Sequence, residues 1–327
     1  MSQEEKKPHI VVLDGHCSLD KGVNAEELYT LGQVTYYDSC LQADTAEIIR
    51  RIEDATCVLL NKTPLTREVF AACPQIVYVG LLSTGYNVVD VEAAKEYGVT
   101  VTNVPVYGTE AVAQFTFALL LELTNRVGYH NQLVHDGAWA KDGYFSFWEG
   151  RTMELQGKTM GILGFGHIGQ AVGRLAKAFG MQVLAWDNHP TAEGAALATY
   201  VDLDTLFARA DVVSLHCPLN QDTAKLINQT TVAKMKKGAI LLNTSRGGLV
   251  EHQALAEALT SGKLAGAGLD VTDPEPIPDG DVLLSAPNCV ITSHMAWAAV
   301  ESRQRLANTA FANMRAFFAG KPENVVS

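Results

Sequence analysis

The sequence is short of paired cysteines, of positive charge and of long apolar runs. Its six cysteines (Cys17, Cys40, Cys57, Cys73, Cys217, Cys289) are scattered, with no C-x-x-C spacing. That pattern argues against a disulfide frame or a zinc ribbon and reads as free thiols in a reducing compartment. The nine histidines show no H-E-x-x-H or comparable ligand spacing, so no metal site is expected. Lys and Arg number 25 against 36 Asp and Glu, a formal net charge of −11. This disfavours a general nucleic-acid or anionic-membrane binder, while leaving room for a local basic pocket. Apolar runs such as Phe117–Leu121 fall far short of the ~18 residues a membrane span needs. The opening MSQEEKKPHI has no apolar core region, so no secretory leader is expected and the protein reads as cytoplasmic. Charged residues make up only 19% and apolar residues 47%, which excludes a disordered or fibrous chain.

What is present is a chain of 327 residues, enough for about two domains at roughly 150 residues each. From residue 9, short β-rich runs alternate with helical stretches: His9–Leu13, Val34–Tyr37, Cys57–Leu60, Ile76–Val79 and Val99–Thr102 read as strands. Between two of them Asp44 can cap a helix whose apolar positions Ala46, Ile48, Ile49 and Ile52 share one side. The strand runs are continuously apolar rather than alternating, as expected of a parallel sheet covered on both faces. A long, largely apolar helix follows over Thr109–Val127, then an aromatic, Gly-rich segment from Gly137 to Trp148. A helix apolar on most sides is deeply buried or covered by a partner chain, and the aromatic segment reads equally as a packing connection or a subunit contact. A second alternating series has strands at Thr159–Leu163, Gln182–Trp186, Val212–Leu215, Ala239–Asn243, Ala265–Asp270 and Val290–Thr292. An amphipathic helix over Ala298–Phe318 comes last, stopped by Gly320-Lys-Pro322. Two parallel-sheet α/β domains are the simplest account.

Strand Thr159–Leu163 runs directly into Gly164-Phe-Gly166-His-Ile-Gly169, with a helix after it. A lone G-x-G-x-x-G is a weak signal, and its value here lies in the strand before and the helix behind. The first glycine permits the tight turn, the second lets a pyrophosphate approach the backbone, and the third allows close helix–strand packing. Eighteen residues past Gly169, at the next strand end, stands Asp187, placed to accept hydrogen bonds from ribose hydroxyls. A 2′-phosphate would meet its negative charge, so NAD is expected over NADP. Two more loops, His216–Asn220 and Thr244–Gly248, follow strands of the same sheet and should flank the nicotinamide half.

Reducing a ketone requires a proton donor and, for an acidic substrate, a cation. His294, just after strand Val290–Thr292, suits the proton, because histidine titrates near operating pH. Arg246 can grip a carboxylate in a two-point fork. Glu275, in Asp273-Pro-Glu-Pro276, can hold the imidazole and favour its protonated form. Each has an ordinary structural reading by itself; three complementary groups at strand ends of one sheet outweigh it.

The chain resembles the D-isomer-specific 2-hydroxyacid dehydrogenases over essentially all its length. The resemblance rests on GKTMGILGFGHIGQ (Gly157–Gln170), HCPLNQDT (His216–Thr223), LLNTSRGGLVE (Leu241–Glu251), GAGLDVTDPEP (Gly266–Pro276) and ITSHMAWA (Ile291–Ala298). It implies a flavodoxin-like catalytic domain, residues 1–104 with 298–327, and a Rossmann NAD-binding domain, residues 105–297. It also implies a dimerisation arm around 120–150, a homodimer, and an active site in the cleft. The family's catalytic trio carries over onto Arg246, Glu275 and His294, and its substrate loop onto Ser83, Thr84 and Gly85. Its cofactor contacts carry over onto Thr109, Gly164, Gly166, His167, Ile168, Gly169, Asp187, His216, Cys217, Pro218, Thr223, Thr244, Ser245, Arg246, Asp270, His294 and Ala296. Tyr107–Thr109, Phe147-Trp148, Met295–Trp297 and Arg303–Leu306 look most like the glycerate dehydrogenases, also called hydroxypyruvate reductases. Ser293 and Met295 depart from the Pro and Ile commoner there. The expected reaction is NADH-dependent reduction of a small 2-keto acid, foremost hydroxypyruvate to D-glycerate. The alternatives are another 2-keto acid (glyoxylate, pyruvate or a bulkier one), or an NAD-sensing interaction protein like the C-terminal-binding corepressors. The corepressors usually add a disordered tail, for which the residues after Gly320 leave little room.

Overall fold

The computed structural model describes residues 7–40 and 42–327; the stretch read above for a leader lies mostly outside them. The chain divides into two compact units, the residues up to Gly108 with Trp297–Ser327, and Thr109–Ala296.

In the first unit the sheet has order β2-β1-β3-β4-β5 and is parallel throughout. Its strands are β1 (His9–Val12), β2 (Gln33–Tyr36), β3 (Cys57–Leu60), β4 (Tyr78–Leu81) and β5 (Thr100–Thr102). β3 and β4 are buried at every position, which is what their unbroken apolar runs require of a sheet covered on both faces. Asp44 caps helix Thr45–Ile52 by accepting the Glu47 N–H, and Ile48 and Ile52 turn inward from it. The opposite face is covered by the last helix, Val300–Phe318, whose Leu306, Ala310, Phe311 and Met314 pack with Ile10, Val12 and Tyr78. Two strands begin one or two residues later than the apolar pattern suggests: β4 starts at Tyr78, because Cys73–Ile76 closes a turn first.

The second unit holds a seven-stranded parallel sheet of order β12-β11-β10-β9-β6-β7-β8. Its strands are β6 (Thr159–Leu163), β7 (Gln182–Trp186), β8 (Thr199–Tyr200), β9 (Val212–Leu215), β10 (Ala239–Asn243), β11 (Leu264–Leu269) and β12 (Cys289–Ile291). β8, a two-residue edge strand, is too short to leave a periodic signature. Helix Thr109–Asn125 is buried through Val112, Phe117, Leu119 and Leu120. It stops at Arg126, which takes a left-handed φ of 52°. Beyond it come two short helices, Val127–His135 before the aromatic segment and Ala138–Asp142 within it, with no buried residue in either. Among the described residues no helix is long and apolar enough to cross a membrane, and the cysteines are free thiols.

Far from the glycine turn, Asp281 accepts the Leu283 N–H at 2.9 Å and meets His252 Nδ1 at 2.8 Å, tying helix His252–Thr260 to turn Val282–Ser285. Burial acts upward on this carboxyl, but the Leu283 N–H and His252 outweigh it and hold its pKa below the usual value. A depressed folded pKa contributes stability that is present above the unfolded value and lost as pH falls through the folded one. Asp281→Ala is therefore expected to cost about 1 kcal/mol at pH 7. In urea melts across pH, the gap to the parent should close below about pH 4; a gap constant with pH would refute this.

Candidate active site

In a parallel sheet every strand delivers its following loop to the same edge, and in the second unit the chain reverses direction across the sheet between β6 and β9. The loops that matter meet there. After β6 the backbone turns at Gly164 with φ of +87°, a conformation that side chains disfavour. A Cβ at Gly164 would lie 2.5 Å from the Cys217 backbone nitrogen, and one at Gly169 only 2.2 Å from the Gly164 carbonyl oxygen. The first glycine thus lets the β6 and β9 loops touch, and the third lets the helix lie against the turn. Gly166 is different: a Cβ there would meet nothing within 4 Å. It begins helix His167–Ala178 without any side-chain cap, and the first intrahelical bond is from Gln170 N–H to its carbonyl. The N–H groups of His167, Ile168 and Gly169 lie in the first turn, at the positive end of a twelve-residue helix. This cradle fits the pyrophosphate of a dinucleotide.

Asp187, one residue past β7, accepts the Phe165 N–H at 2.6 Å through Oδ2 and the His189 N–H at 2.8 Å through Oδ1. The carboxylate is thereby fixed beside the glycine turn, with a lone pair left on each oxygen for ribose hydroxyls. The β9 loop is rigid as well. Thr223 is buried and its hydroxyl donates to the Pro218 carbonyl at 2.7 Å while accepting the Asn220 N–H at 2.9 Å. His216 meets Ser214 Oγ through Nε2 at 2.8 Å, and burial lowers its pKa to about 3. It stays neutral at any working pH and is unfit to hold a proton for transfer. Cys217 is a buried thiol pushed up to about 11 by that burial, so it is no thiolate nucleophile.

The β10 loop presents Arg246. Its turn is held by the fully buried Asn243, which donates from Nδ2 to the Arg246 carbonyl at 2.9 Å and accepts the Ser245 N–H at 3.1 Å. Ser245 Oγ donates to the Cys217 carbonyl at 2.7 Å, and Thr244 Oγ1 lies 2.9 Å from Thr116 Oγ1 on the long helix begun by Thr109. The Arg246 side chain is exposed and donates only to the Ser245 carbonyl, at 2.7 Å, among the described residues. The other donors of its planar fork remain for a carboxylate.

Glu275 arrives from the β11 loop and His294 from the β12 loop, with His294 Nδ1 2.8 Å from Glu275 Oε2. Glu275 Oε1 also accepts the Thr272 N–H at 3.3 Å. An acceptor-only carboxylate at Nδ1 requires a proton on that nitrogen and fixes the orientation of the ring. His294 itself sits at φ +53°, an unusual conformation for a side-chain-bearing residue. The group that enforces it is Asp270, fully buried. Its carbonyl accepts the His294 N–H at 2.7 Å, Oδ1 accepts from Thr292 Oγ1 at 2.6 Å and Met295 N–H at 2.9 Å, and Oδ2 accepts the Ala296 N–H at 2.8 Å. The resemblance puts Asp270 along the cofactor; in the structure its carboxylate holds the histidine turn. Sequence reading missed this task, and that of Asn243, because a buried carboxylate or amide at a strand end leaves no pattern. Both become visible only with their bonds.

The candidate substrate loop, Ser83–Gly85, belongs to the first unit and follows β4. Asn103 Nδ2 donates to the Thr84 carbonyl at 2.7 Å, Thr84 Oγ1 donates to the Val104 carbonyl at 2.7 Å, and Ser83 Oγ donates to the Gly85 carbonyl at 2.6 Å. The Thr84 and Gly85 N–H groups donate to no acceptor among the described residues. Nor do three or more His, Cys, Asp or Glu side chains converge anywhere among those residues as a metal site requires.

Residues 117–296, more than half of the chain, match the family model of the D-isomer specific 2-hydroxyacid dehydrogenase NAD binding domain. The chain belongs to this family. Its second unit is therefore an NAD-binding domain, and the protein is an NAD-dependent D-2-hydroxyacid dehydrogenase, an oxidoreductase acting on small hydroxy acids. It is 50% identical over 320 residues to a hydroxypyruvate reductase of Blautia hydrogenotrophica, covering 97% of this chain and 99% of that one. It is 39% identical over 282 residues to a glycerate dehydrogenase of Methylorubrum extorquens, covering 86% and 88%. A crystal structure of a Thermus thermophilus protein superposes with a TM-score of 0.84 at 38% identity, covering 98% of this chain and 100% of that one. The two parallel-sheet units are thus the architecture of this dehydrogenase family.

Proposed function

We propose that this dehydrogenase reduces hydroxypyruvate to D-glycerate with NADH. The observation that carries the reading is the His294–Glu275 pair, 2.8 Å apart, at the strand-end edge that also bears the glycine turn and Arg246. The similarity to a hydroxypyruvate reductase at 50% identity over nearly the whole chain supports the substrate. Bound NADH supplies the hydride. Its pyrophosphate would rest on the His167–Gly169 N–H groups, its adenosine ribose on Asp187, and its remainder along His216–Thr223 and Thr244–Arg246. Thr109 and Ala296 are assigned to the same cofactor. His294 donates a proton from Nε2 to the substrate's C2 oxygen as that oxygen gains charge. Glu275 holds the ring by Nδ1 and balances the imidazolium in the ground state. Arg246 and the Thr84 and Gly85 N–H groups bind the substrate carboxylate.

The test is a panel of hydroxypyruvate, glyoxylate and pyruvate assayed with NADH and with NADPH. Hydroxypyruvate with NADH should give the highest kcat/KM, and the product should be the D-isomer. Because Asp187 would face a 2′-phosphate with like charge, NADPH is expected to be at least about tenfold poorer. Equal use of both cofactors would remove the role given to Asp187. Oxidation of NADH by none of the acids would turn the reading toward an NAD-sensing interaction protein.

We assign the working form to a cytoplasmic homodimer. Cysteines free of disulfides support the reducing compartment. The dimer rests on the aromatic segment, where Tyr144 is 75%, Phe145 95% and Trp148 65% exposed, more apolar surface than one subunit leaves in water without a reason. Light scattering should give twice the chain mass, and Phe145→Asp with Trp148→Asp should shift it toward the monomer. A monomeric parent protein would refute the assignment.

A further inference from the structure

Two neighbouring loops leave the first unit's sheet, one after β3 and one after β4, and their N–H groups fare differently. In the first, Asp14 accepts Asn61 N–H at 2.6 Å through Oδ1, and Lys62 N–H at 2.6 Å and Thr63 N–H at 2.8 Å through Oδ2, so all three donors are spent inside the protein. In the second, the Thr84 and Gly85 N–H groups donate to no acceptor among the described residues. Their carbonyl partners show what keeps them open. The Ser83 carbonyl accepts the Val104 N–H at 3.0 Å, and the Thr84 carbonyl accepts from Asn103 Nδ2 at 2.7 Å. Both peptides are trans, and in a planar trans peptide the C=O and the N–H point opposite ways. With both carbonyls drawn to residues 103–104, the Thr84 and Gly85 N–H groups are turned to the other side. The two clamps differ in kind. Val104 uses its backbone, which any residue but proline supplies; Asn103 uses its side chain.

Asn103 is in turn held by residues remote in sequence. It follows β5, the edge strand of the sheet, whose outer side is covered by residues 324–326. Thr102 bridges Val325 in antiparallel sense, and the Val326 N–H donates to the Val101 carbonyl at 2.8 Å. The Asn103 N–H donates to the Asn324 carbonyl at 3.1 Å, and the Asn103 carbonyl accepts from Asn313 Nδ2, on the last helix, at 2.9 Å. Asn324 Nδ2 closes the ring by donating to Asn313 Oδ1 at 2.8 Å. A carbonyl can only accept, so Asn103 must turn its amide nitrogen to Thr84, and Asn313 its nitrogen to Asn103. That leaves the Asn313 oxygen for Asn324. Asn103 and Asn313 are buried, where an amide without partners is costly. Three asparagines from three segments thus fix one side chain against one carbonyl.

We propose that Asn103 is a positioning residue that aims the Gly85 N–H at the substrate carboxylate. This rests on the reading above in which the Thr84 and Gly85 N–H groups bind that carboxylate. A hydrogen bond weakens steeply as its donor tilts away, so the Thr84–Gly85 peptide must not rotate. Asn103 prevents the rotation from the carbonyl side. The carboxylate is present in substrate and transition state alike, so losing the aim weakens both equally: KM rises and kcat holds. The isosteric Asn103→Asp replaces the donor by an acceptor, which repels the Thr84 carbonyl until the new carboxyl is protonated.

The experiment measures kcat, KM and NADH affinity for the parent, Asn103→Asp and Asn324→Gly with hydroxypyruvate. Asn103→Asp is expected to raise KM by about 10- to 100-fold near neutral pH, with kcat held within about threefold and NADH affinity unchanged. The ratio of variant to parent KM should shrink as pH falls from about 8 to about 5.5, because burial raises the pKa of the new carboxyl and protonation restores a donor. A merely structural lesion would not recover in that way. Asn324→Gly keeps the left-handed backbone at φ +53° and releases only the far side of the ring, so KM should rise about two- to fivefold. That variant decides the matter if Asn103→Asp does not fold, an unchanged KM then counting against the proposal. Unchanged KM in folded Asn103→Asp would overturn it, as would a defect constant with pH or parallel losses of kcat and NADH affinity. A parent that prefers glyoxylate or pyruvate defeats the hydroxypyruvate reading alone, since every 2-keto acid carries the carboxylate and the same measurements are made on the preferred one. A parent active on hydroxypyruvate with flat profiles in both variants defeats only the role of Asn103. A parent that turns over none of the acids ends both.

Discussion

His294→Ala is expected to lower kcat for keto-acid reduction by about 10²- to 10⁴-fold, with NADH still binding. The reason lies in the environments the structure gives His216 and His294, two of the histidines at the strand-end edge of the NAD-binding unit. His216 is driven neutral by burial, to a pKa of about 3, and spends Nε2 on Ser214. His294 is partly exposed and anchored through Nδ1 to a carboxylate. Removing the ring leaves the glycine turn, Asp187 and Arg246 untouched, so NADH quenching of tryptophan fluorescence should titrate as in the parent. Glu275→Gln separates the two parts of the pair. The amide can still accept from Nδ1–H but brings no charge, so the loss should be smaller than for His294→Ala. Full turnover in His294→Ala would end the assignment.

Asp270→Ala is expected to be the most damaging single change that touches neither substrate nor the glycine turn. It removes a fully buried carboxylate that accepts from the Thr292 hydroxyl and from the Met295 and Ala296 N–H groups. Hydrogen bonds to a charged group contribute about 1.5–3 kcal/mol each, and buried donors left without partners cost more than the mean. The summed loss is non-additive, and about 3–5 kcal/mol is a reasonable range. Since a domain is stable by only about 5–15 kcal/mol, that is a large share. Activity should fall further than stability accounts for, because His294 at φ +53° loses the group that enforces its backbone. Calorimetry would read the lowered Tm, and kcat measured well below that Tm would read the displaced histidine. A variant with unchanged Tm and kcat would show that the turn holds itself. Asp270→Asn should be intermediate: its oxygen can accept at one side, but its amide meets the Ala296 N–H donor to donor.

Much of this is legible in the chain. The glycine turn, the strand before it and Asp187 are local, separated by fixed spacings, and physical chemistry gives each glycine a separate task. The unbroken apolar strands imply two parallel sheets because only a sheet covered on both faces buries such runs. Arg246, Glu275 and His294 stand out because their chemistries complement one another and each follows a strand. Less legible are features whose cause is remote in sequence. β8 has two residues and no period. The apolar pattern carries helix Thr109–Asn125 two residues too far, because Arg126 breaks it by taking φ of 52°, which no residue type there announces. Asp14 looks like any strand-end acid until Asn61–Thr63 close on it.

By itself, then, the sequence determined the kind of chemistry: a dinucleotide turn, a cation, a carboxylate and a histidine, on parallel strands that deliver their loops to one edge. Those are properties of residue type and short spacing, and they survive without coordinates. Only the tertiary structure decided which groups act and which support. Hydrogen bonding and desolvation belong to contacts between residues distant along the chain. Among the histidines at that sheet edge, burial silenced His216, and a carboxylate 2.8 Å away orients His294 through Nδ1. Of two buried aspartates, Asp270 became the strut of the histidine turn and Asp14 the acceptor that holds the Asn61–Thr63 backbone.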